Sequence, residues 1–257
     1  MSGPEPAAGA AGPPARPAVT TTRLERHGEV FVLTLCDGEN RFDPDSVAAI
    51  DDALDRVEAV SGPAALVTTG EGKYFSNGLA LEWMLRGAAE GDPDRSRRNL
   101  EAVYALLARL WTFPVPTVAA VNGHWFGAGA LLGLVHDRRV ARADRGWFCM
   151  PEAAMGVGIA APLVAVLRAA LPVAAFRDVC VTARRVTAVE AAALGFVEEV
   201  ADGDAVVERA VTWAAARASS HRSSLADIKS VMWAPALAVL RGEAPGSRDH
   251  RPVSERP

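Results

Sequence analysis

Residues 121–137, VNGHWFGAGALLGLVHD, are the stretch on which the fold turns. A strand-like run, TVAAVN at 117–122, stops at Gly123. Gly127, Ala128, Gly129 and Ala130 then leave no bulky side chain where an apolar helix begins. A helix start presents N–H groups without intrahelical partners and a partial positive charge, which suits an oxyanion as it develops. The same small residues also allow close packing of helix on sheet, and on these residues alone both readings stand. A dinucleotide fingerprint is excluded, because the GxGxxG spacing is not met and no acidic residue follows about twenty positions on at a strand end.

About fifty residues upstream lies a second strand-turn-helix unit, GEGKYFSNGLALEWM at 70–84. AALVTT at 64–69 is a short buried-type strand, and Phe75-Ser76-Asn77-Gly78-Leu79 leads into an apparent helix containing Trp83. Gly78 is free to take a positive φ and lets another molecule approach the backbone. An ordinary turn between strand and helix would have the same residues.

Outward from these two units the chain alternates strand-like and helix-like patterns. EVFVLTLC at 29–36 reads as a strand, and ENRFDPDS closes it. Asp43-Pro44 then reads as a cap and first-turn proline for a helix to about Val60, with Val47, Ile50, Leu54 and Val57 on one face. A helix is expected over 101–111 and a short strand over 139–143. Beyond about residue 160 helices dominate, over 161–170, 173–179, 188–194, 205–218 and 223–233. This is an α/β pattern with largely buried strands and no fixed internal repeat. It predicts a core over 22–200 and a helical region over 201–240, between Pro/Ala-rich (1–21) and polar (241–257) tails expected to be disordered.

Composition narrows the function classes. The formal net charge of −4 argues against binding a phosphate backbone, so no nucleic acid is expected. Cys36, Cys149 and Cys180 are few and widely spaced, which gives no disulfide framework and fits a cytoplasmic location. The five histidines show no ligand spacing, so no metal site is expected, and no run is long enough for a membrane helix. The first twenty residues do not read as a signal peptide, and the C-terminal residues carry no peroxisomal tripeptide. Ser76 is not in a nucleophile elbow, and His136-Asp137 are adjacent residues whose side chains point different ways.

Taken together, 75-FSNGLAL-81 and 122-NGHWFGAGALL-132, followed by 150-MPEAAMGV-157 and 187-TAVEAAALGFV-197, resemble four signatures of the crotonase (enoyl-CoA hydratase/isomerase) superfamily in order and spacing. The resemblance covers about residues 22–200. It implies a spiral of ββα turns with a C-terminal helical region, assembled as homotrimers or pairs of trimers, and an acyl-CoA thioester as substrate. It implies that the backbone N–H groups of Leu79 and Ala128 form the oxyanion hole. Ser76, Gly78, Ala80, Trp83 and Gly127 are expected to line the substrate. Hydratases of this family use two glutamates; the first position holds Leu131 here and the second holds Glu152. One carboxylate suffices to shift a double bond, so Glu152 is the expected acid/base of a Δ3,Δ2-enoyl-CoA isomerase, most similar to the plant-type branch. No cofactor beyond the CoA of the substrate is implied. Another branch places its glutamate where this chain has Ala160 and Ala161, and the family's usual aspartate in the first signature is Ala80. Lys73, Arg23 and Arg86 are candidate contacts for CoA phosphates, though exposed cations of this kind are commonly just solvated. Other thioester chemistry on the same fold, aided by a second acid such as Glu82 or Asp144, is the alternative, as is a non-catalytic acyl-CoA binder.

Overall fold

In the computed structural model, which describes residues 21–203 and 205–244, the chain opens with a hairpin and then winds through strand and helix units. The hairpin joins β1 (Thr22–His27) to β2 (Val30–Leu35), and Gly28 makes the tight turn at φ +62°. There follow β3 (Arg41–Phe42), α1 (Pro44–Glu58), β4 (Ala65–Gly70), β5 (Tyr74–Ser76), β6 (Gly78–Leu79), α2 (Leu81–Leu85) and α3 (Arg95–Trp111). Next come β7 (Thr117–Val121), β8 (His124–Phe126), α4 (Ala128–Leu134), β9 (Arg138–Arg142), β10 (Phe148–Cys149) and α5 (Glu152–Met155). The remainder is α6 (Ala161–Ala170), α7 (Val173–Thr182), α8 (Ala188–Ala193), β11 (Glu199–Ala201), α9 (Ala205–Ala215), α10 (Arg222–Met232) and α11 (Ala234–Leu240).

The large sheet runs β1-β2-β4-β7-β9-β11 and is parallel apart from β1. Its inner strands are apolar on both faces, as parallel strands covered on both sides must be. Val30, Val32, Val67, Val118 and Ala120 face α9, which meets them with Val206, Ala210 and Ala214. The alternate residues Leu33, Leu66, Ala119 and Val121 face the main core beneath α1, α3 and α4. Helix α1 forms as its sequence predicts. Asp43 accepts the Ser46 N–H at 2.8 Å, Ser46 reciprocates at the Asp43 N–H, and Pro44 sits in the first turn. Its four apolar residues are all buried, each worth about 1.5–3 kcal/mol relative to exposure.

A second, three-stranded parallel sheet, β10-β8-β5, lies apart from the first, and β3 pairs with β6. Helix α3 starts six residues before the expected 101, where Arg95, Arg97 and Arg98 pair with Glu90, Asp92, Asp94 and Glu101. Helix α10 is pinned by the buried Lys229, whose ammonium donates to Phe113 O and Val115 O at 2.9 Å and meets Asp137 at 2.7 Å. Asp137 also accepts the Thr117 N–H at 2.8 Å, so it acts in the scaffold. Adjacent His136 turns elsewhere. Its Nδ1 donates to Leu132 O, its Nε2 accepts from the Thr68 hydroxyl, and burial pushes it down to about 3. The tails expected over 1–21 and 241–257 fall almost wholly outside the described residues. No described helix is long and apolar enough to cross a membrane.

Candidate active site

The small sheet builds the site. Its three parallel strands point the same way, and the segments that leave their C-terminal ends carry Gly78-Leu79 after β5, Gly127-Ala128 after β8, and Glu152 after β10. Ligands commonly bind beyond the carboxyl ends of parallel strands, where successive connections diverge.

Two glycines let the backbones meet. Gly78 has φ +78°, and a Cβ there would stand 2.7 Å from Phe126 O and 3.1 Å from Ala128 N. Glycine is therefore required both for its conformation and for its lack of a side chain. The Ala80 N–H donates to Phe42 O at 3.1 Å, and the alternation of the ladder turns the Leu79 N–H away from β3. Ala128 opens α4, where the intrahelical ladder has no acceptor for its N–H. The Leu79 and Ala128 amides thus come from two turns held in contact. Gly127 takes φ +51°, ψ −125°, and its N–H donates to Cys149 O at 3.0 Å. A Cβ on Gly127 would meet Glu152 Oε1 at 3.5 Å, which puts the carboxylate beside the same turn.

Glu152 begins the single turn of α5, closed by Gly156 in the left-handed region. The residue as a whole is half-buried, yet its Oε2 is cut off from solvent with no hydrogen-bond partner. Burial raises its pKa, a change only partly opposed by the hydrogen bond to its own backbone N–H. The thiols of Cys149 and Cys180 are raised in turn, first by their own burial and then by the nearby Glu152 charge. Cys180 lies on α7, which packs against α5, and nothing local in the sequence ties it to Glu152.

The remaining expected positions divide. Ser76 is fully buried, and its hydroxyl donates to Asn40 O at 2.6 Å while accepting the Gly78 N–H at 3.2 Å. It holds the loop and does not face a substrate. Asn40, which sequence reading also missed, has φ +52° and donates to Tyr74 O and Phe75 O, fixing the same loop. Ala80 precedes α2 and gives it no side-chain cap. Trp83 is half-buried under Arg95, whose guanidinium carbon lies 4.8 Å from the ring centroid. Leu131 is 0% exposed in the core and has no polar atom to offer.

Neither candidate second acid shares the half-buried setting of Glu152. Glu82 is exposed on α2. Arg142 grips Asp144 in two hydrogen bonds and holds its carboxyl well below the usual range. A cavity of about 700 Å³ opens between β1 and α9, on the far face of the large sheet, and its lining contains neither Glu152 nor the Leu79 and Ala128 turns. The site follows the strand ends and not that hollow.

Residues 25–243 match the family model for enoyl-CoA hydratase/isomerase. The chain belongs to that family. Enoyl-CoA delta isomerase 2, a peroxisomal protein of Arabidopsis thaliana, is 37% identical over 182 residues, 69% of this chain and 76% of that one. The apo structure of an enoyl-CoA isomerase from Mycobacterium tuberculosis superposes with a TM-score of 0.82 at 27% identity, covering 90% of this chain and 99% of that one. An enoyl-CoA hydratase from Mycobacterium marinum gives 0.80 at 26% identity, covering 90% and 99%. The chain therefore has the crotonase fold and is similar to the plant-type isomerase branch, while its structural neighbours include both hydratases and isomerases.

Proposed function

We propose that this protein is an enoyl-CoA isomerase that moves a double bond from C3 to C2 of an acyl-CoA thioester. The observation that carries the reading is the half-buried carboxylate of Glu152, its Oε2 sealed from solvent, beside the paired turns of Leu79 and Ala128, with buried Leu131 at the position where hydratases of the family have their other glutamate. The thioester oxygen sits between the Leu79 and Ala128 N–H groups. Glu152 removes a C2 proton, negative charge spreads onto that oxygen, and the same group returns the proton at C4. A carboxyl raised by burial suits both halves of the transfer better than one at its ordinary value. Each preorganised donor supplies on the order of 3 kcal/mol to the charged intermediate. Adding water would require a second group to position it, and Leu131 cannot. The chemistry calls for no cofactor beyond the CoA of the substrate. Homotrimeric or hexameric assembly and a cytoplasmic location complete the reading.

The test is conversion of trans-3-hexenoyl-CoA, followed by the absorbance of the conjugated product, in wild type and Glu152→Gln. The reading requires wild-type turnover and a loss of about two to four orders of magnitude in the variant. An inert wild type on short, medium and long 3-enoyl thioesters, or an equally active variant, would transfer the function to another thioester reaction or to a non-catalytic acyl-CoA binder.

A further inference from the structure

At the opposite, N-terminal ends of the same three short strands, positive charge collects without a carboxylate partner. A Cβ on Gly123 would stand 2.1 Å from Lys73 O, and one on Gly146 would stand 2.5 Å from the Gly123 carbonyl, so three turns meet backbone to backbone. They gather Lys73, Arg145 and, across Trp147, Arg185. Lys73 lies over the Tyr74 ring at 5.9 Å and Arg185 over Trp147 at 4.9 Å. Arg145 donates to Gly72 O and Asn122 O. All three are exposed, and none forms an ion pair among the described residues, although the chain is net acidic. Elsewhere Arg23 pairs with Glu25 and Arg86 with Glu90.

His124 lies at the centre of this group. It is 7% exposed, with its ring 5.3 Å from Tyr74, 5.2 Å from Phe126 and 4.9 Å from Trp147. Its Nδ1 is sealed in with no hydrogen-bond partner among the described residues. An orphaned N–H is costlier than an orphaned acceptor, which favours the tautomer that carries its proton on Nε2, on the ring's other edge. Burial, then Lys73, Arg185 and Arg145, hold the imidazole below its ordinary value. The ring is thus a neutral donor set among three uncompensated cations.

We propose that His124, Lys73, Arg145 and Arg185 form a binding site for a phosphoryl anion, separate from the Glu152 carboxylate. Guanidinium and ammonium groups with an N–H donor between them are the chemistry that recognises phosphate oxygens. The site stands whether or not Glu152 moves a proton. The phosphate could belong to a free organic phosphate or to the nucleotide end of CoA, and the experiment separates the two.

Inorganic phosphate and ADP are titrated at low ionic strength while the ring C–H signals of His124 are followed by NMR. The expected result is a saturable shift with an upward move of the His124 pKa, since a bound anion favours the imidazolium. Lys73→Ala and Arg185→Ala each weaken binding by roughly tenfold, and thermal stability should hold because neither side chain makes an ion pair or a hydrogen bond among the described residues. If those variants also raise KM for the thioester and CoA displaces ADP, the ligand is the nucleotide end of the substrate. If KM is unchanged and ADP stays bound under saturating thioester, it is a free organic phosphate. A His124 response no larger than that to sodium chloride of equal ionic strength overturns the proposal.

Discussion

Gly78→Ala is the sharpest test of the way the site is built. The new Cβ would stand 2.7 Å from Phe126 O and 3.1 Å from Ala128 N, both of them backbone atoms, whereas ordinary contact begins near 3.4 Å. The β6 turn must therefore back away by roughly 0.7 Å, carrying the Leu79 N–H away from the Ala128 N–H. Misplacement on the order of 1 Å costs about a hundredfold, and losing one oxyanion donor costs about 10² to 10³. The φ of +78° adds about 1–2 kcal/mol of strain to the folded state. Gly28→Ala supplies the control: φ is +62° and nothing lies within 4 Å of its Cβ, so it incurs the strain without the collision. The expected outcome is a loss of thermal stability in both variants, larger in Gly78→Ala, with kcat/KM for a 3-enoyl thioester down about a hundredfold in Gly78→Ala alone. Wild-type kcat/KM in a folded Gly78→Ala protein would refute the paired-turn account. So would equal activity losses in the two variants.

Glu152→Gln should alter stability as well as rate. The folded-state pKa is raised by burial, so relative to the unfolded chain the native state holds its proton to higher pH. The favourable contribution is complete below the unfolded pKa and fades as pH rises through the folded one. The variant should therefore melt above wild type at neutral pH and lose that advantage near pH 4, by calorimetry across pH. Leu131→Glu places a carboxyl where exposure is 0%, and chemical denaturation should show a loss of about 3 kcal/mol or more, without gain of hydration. Lys229→Met leaves Phe113 O, Val115 O and Asp137 without their buried donor, and about 3–5 kcal/mol of stability should go in the same assay. Asp43→Ala removes the α1 cap and should cost about 1 kcal/mol.

The parts legible in the sequence are those whose signal is local. Asp43-Pro44 and the Val47–Ile50–Leu54–Val57 stripe fix α1 with no outside help, and the doubly buried strands at 29–36, 64–69 and 117–122 stand out as apolar runs. The small sheet escaped notice because strands of two or three residues have no alternation to read. Its partners are set by distant backbone, with Tyr74 opposite His124 and Phe148 opposite Trp125. Hairpin strand β1 was missed for another reason: its residues are mostly exposed and charged, so it lacks an apolar face. Helix α11 was missed behind Pro235, which the structure places in its first turn, where a proline is tolerated. In the site, glycines at 78 and 127 were visible, but the reason for Ser76 was not. A serine bonded to a carbonyl 36 residues earlier looks, in one dimension, like a serine facing a ligand.

That contrast explains why residue identity matters so unevenly across this site. The donors proposed at 79 and 128 belong to the backbone, so leucine and alanine serve there as well as other side chains, and the steric demand falls on the neighbouring glycines instead. Ser76 works one step further back. Its hydroxyl holds the Gly78 N–H, and its carbonyl oxygen would stand 2.3 Å from a Cβ on Gly129, so it leaves room for one arrangement of the two turns. The carboxylate has no such substitute. Under the proposed reading Glu152 takes and returns the proton, and its half-buried setting differs in kind from that of Leu131, which is wholly enclosed by the core. A change at Leu131 therefore reaches stability first, and under the proposed reading a change at Glu152 reaches chemistry first. Under the proposed reading the two turns hold the oxyanion, and the choice of reaction rests on which carboxylates stand beside them.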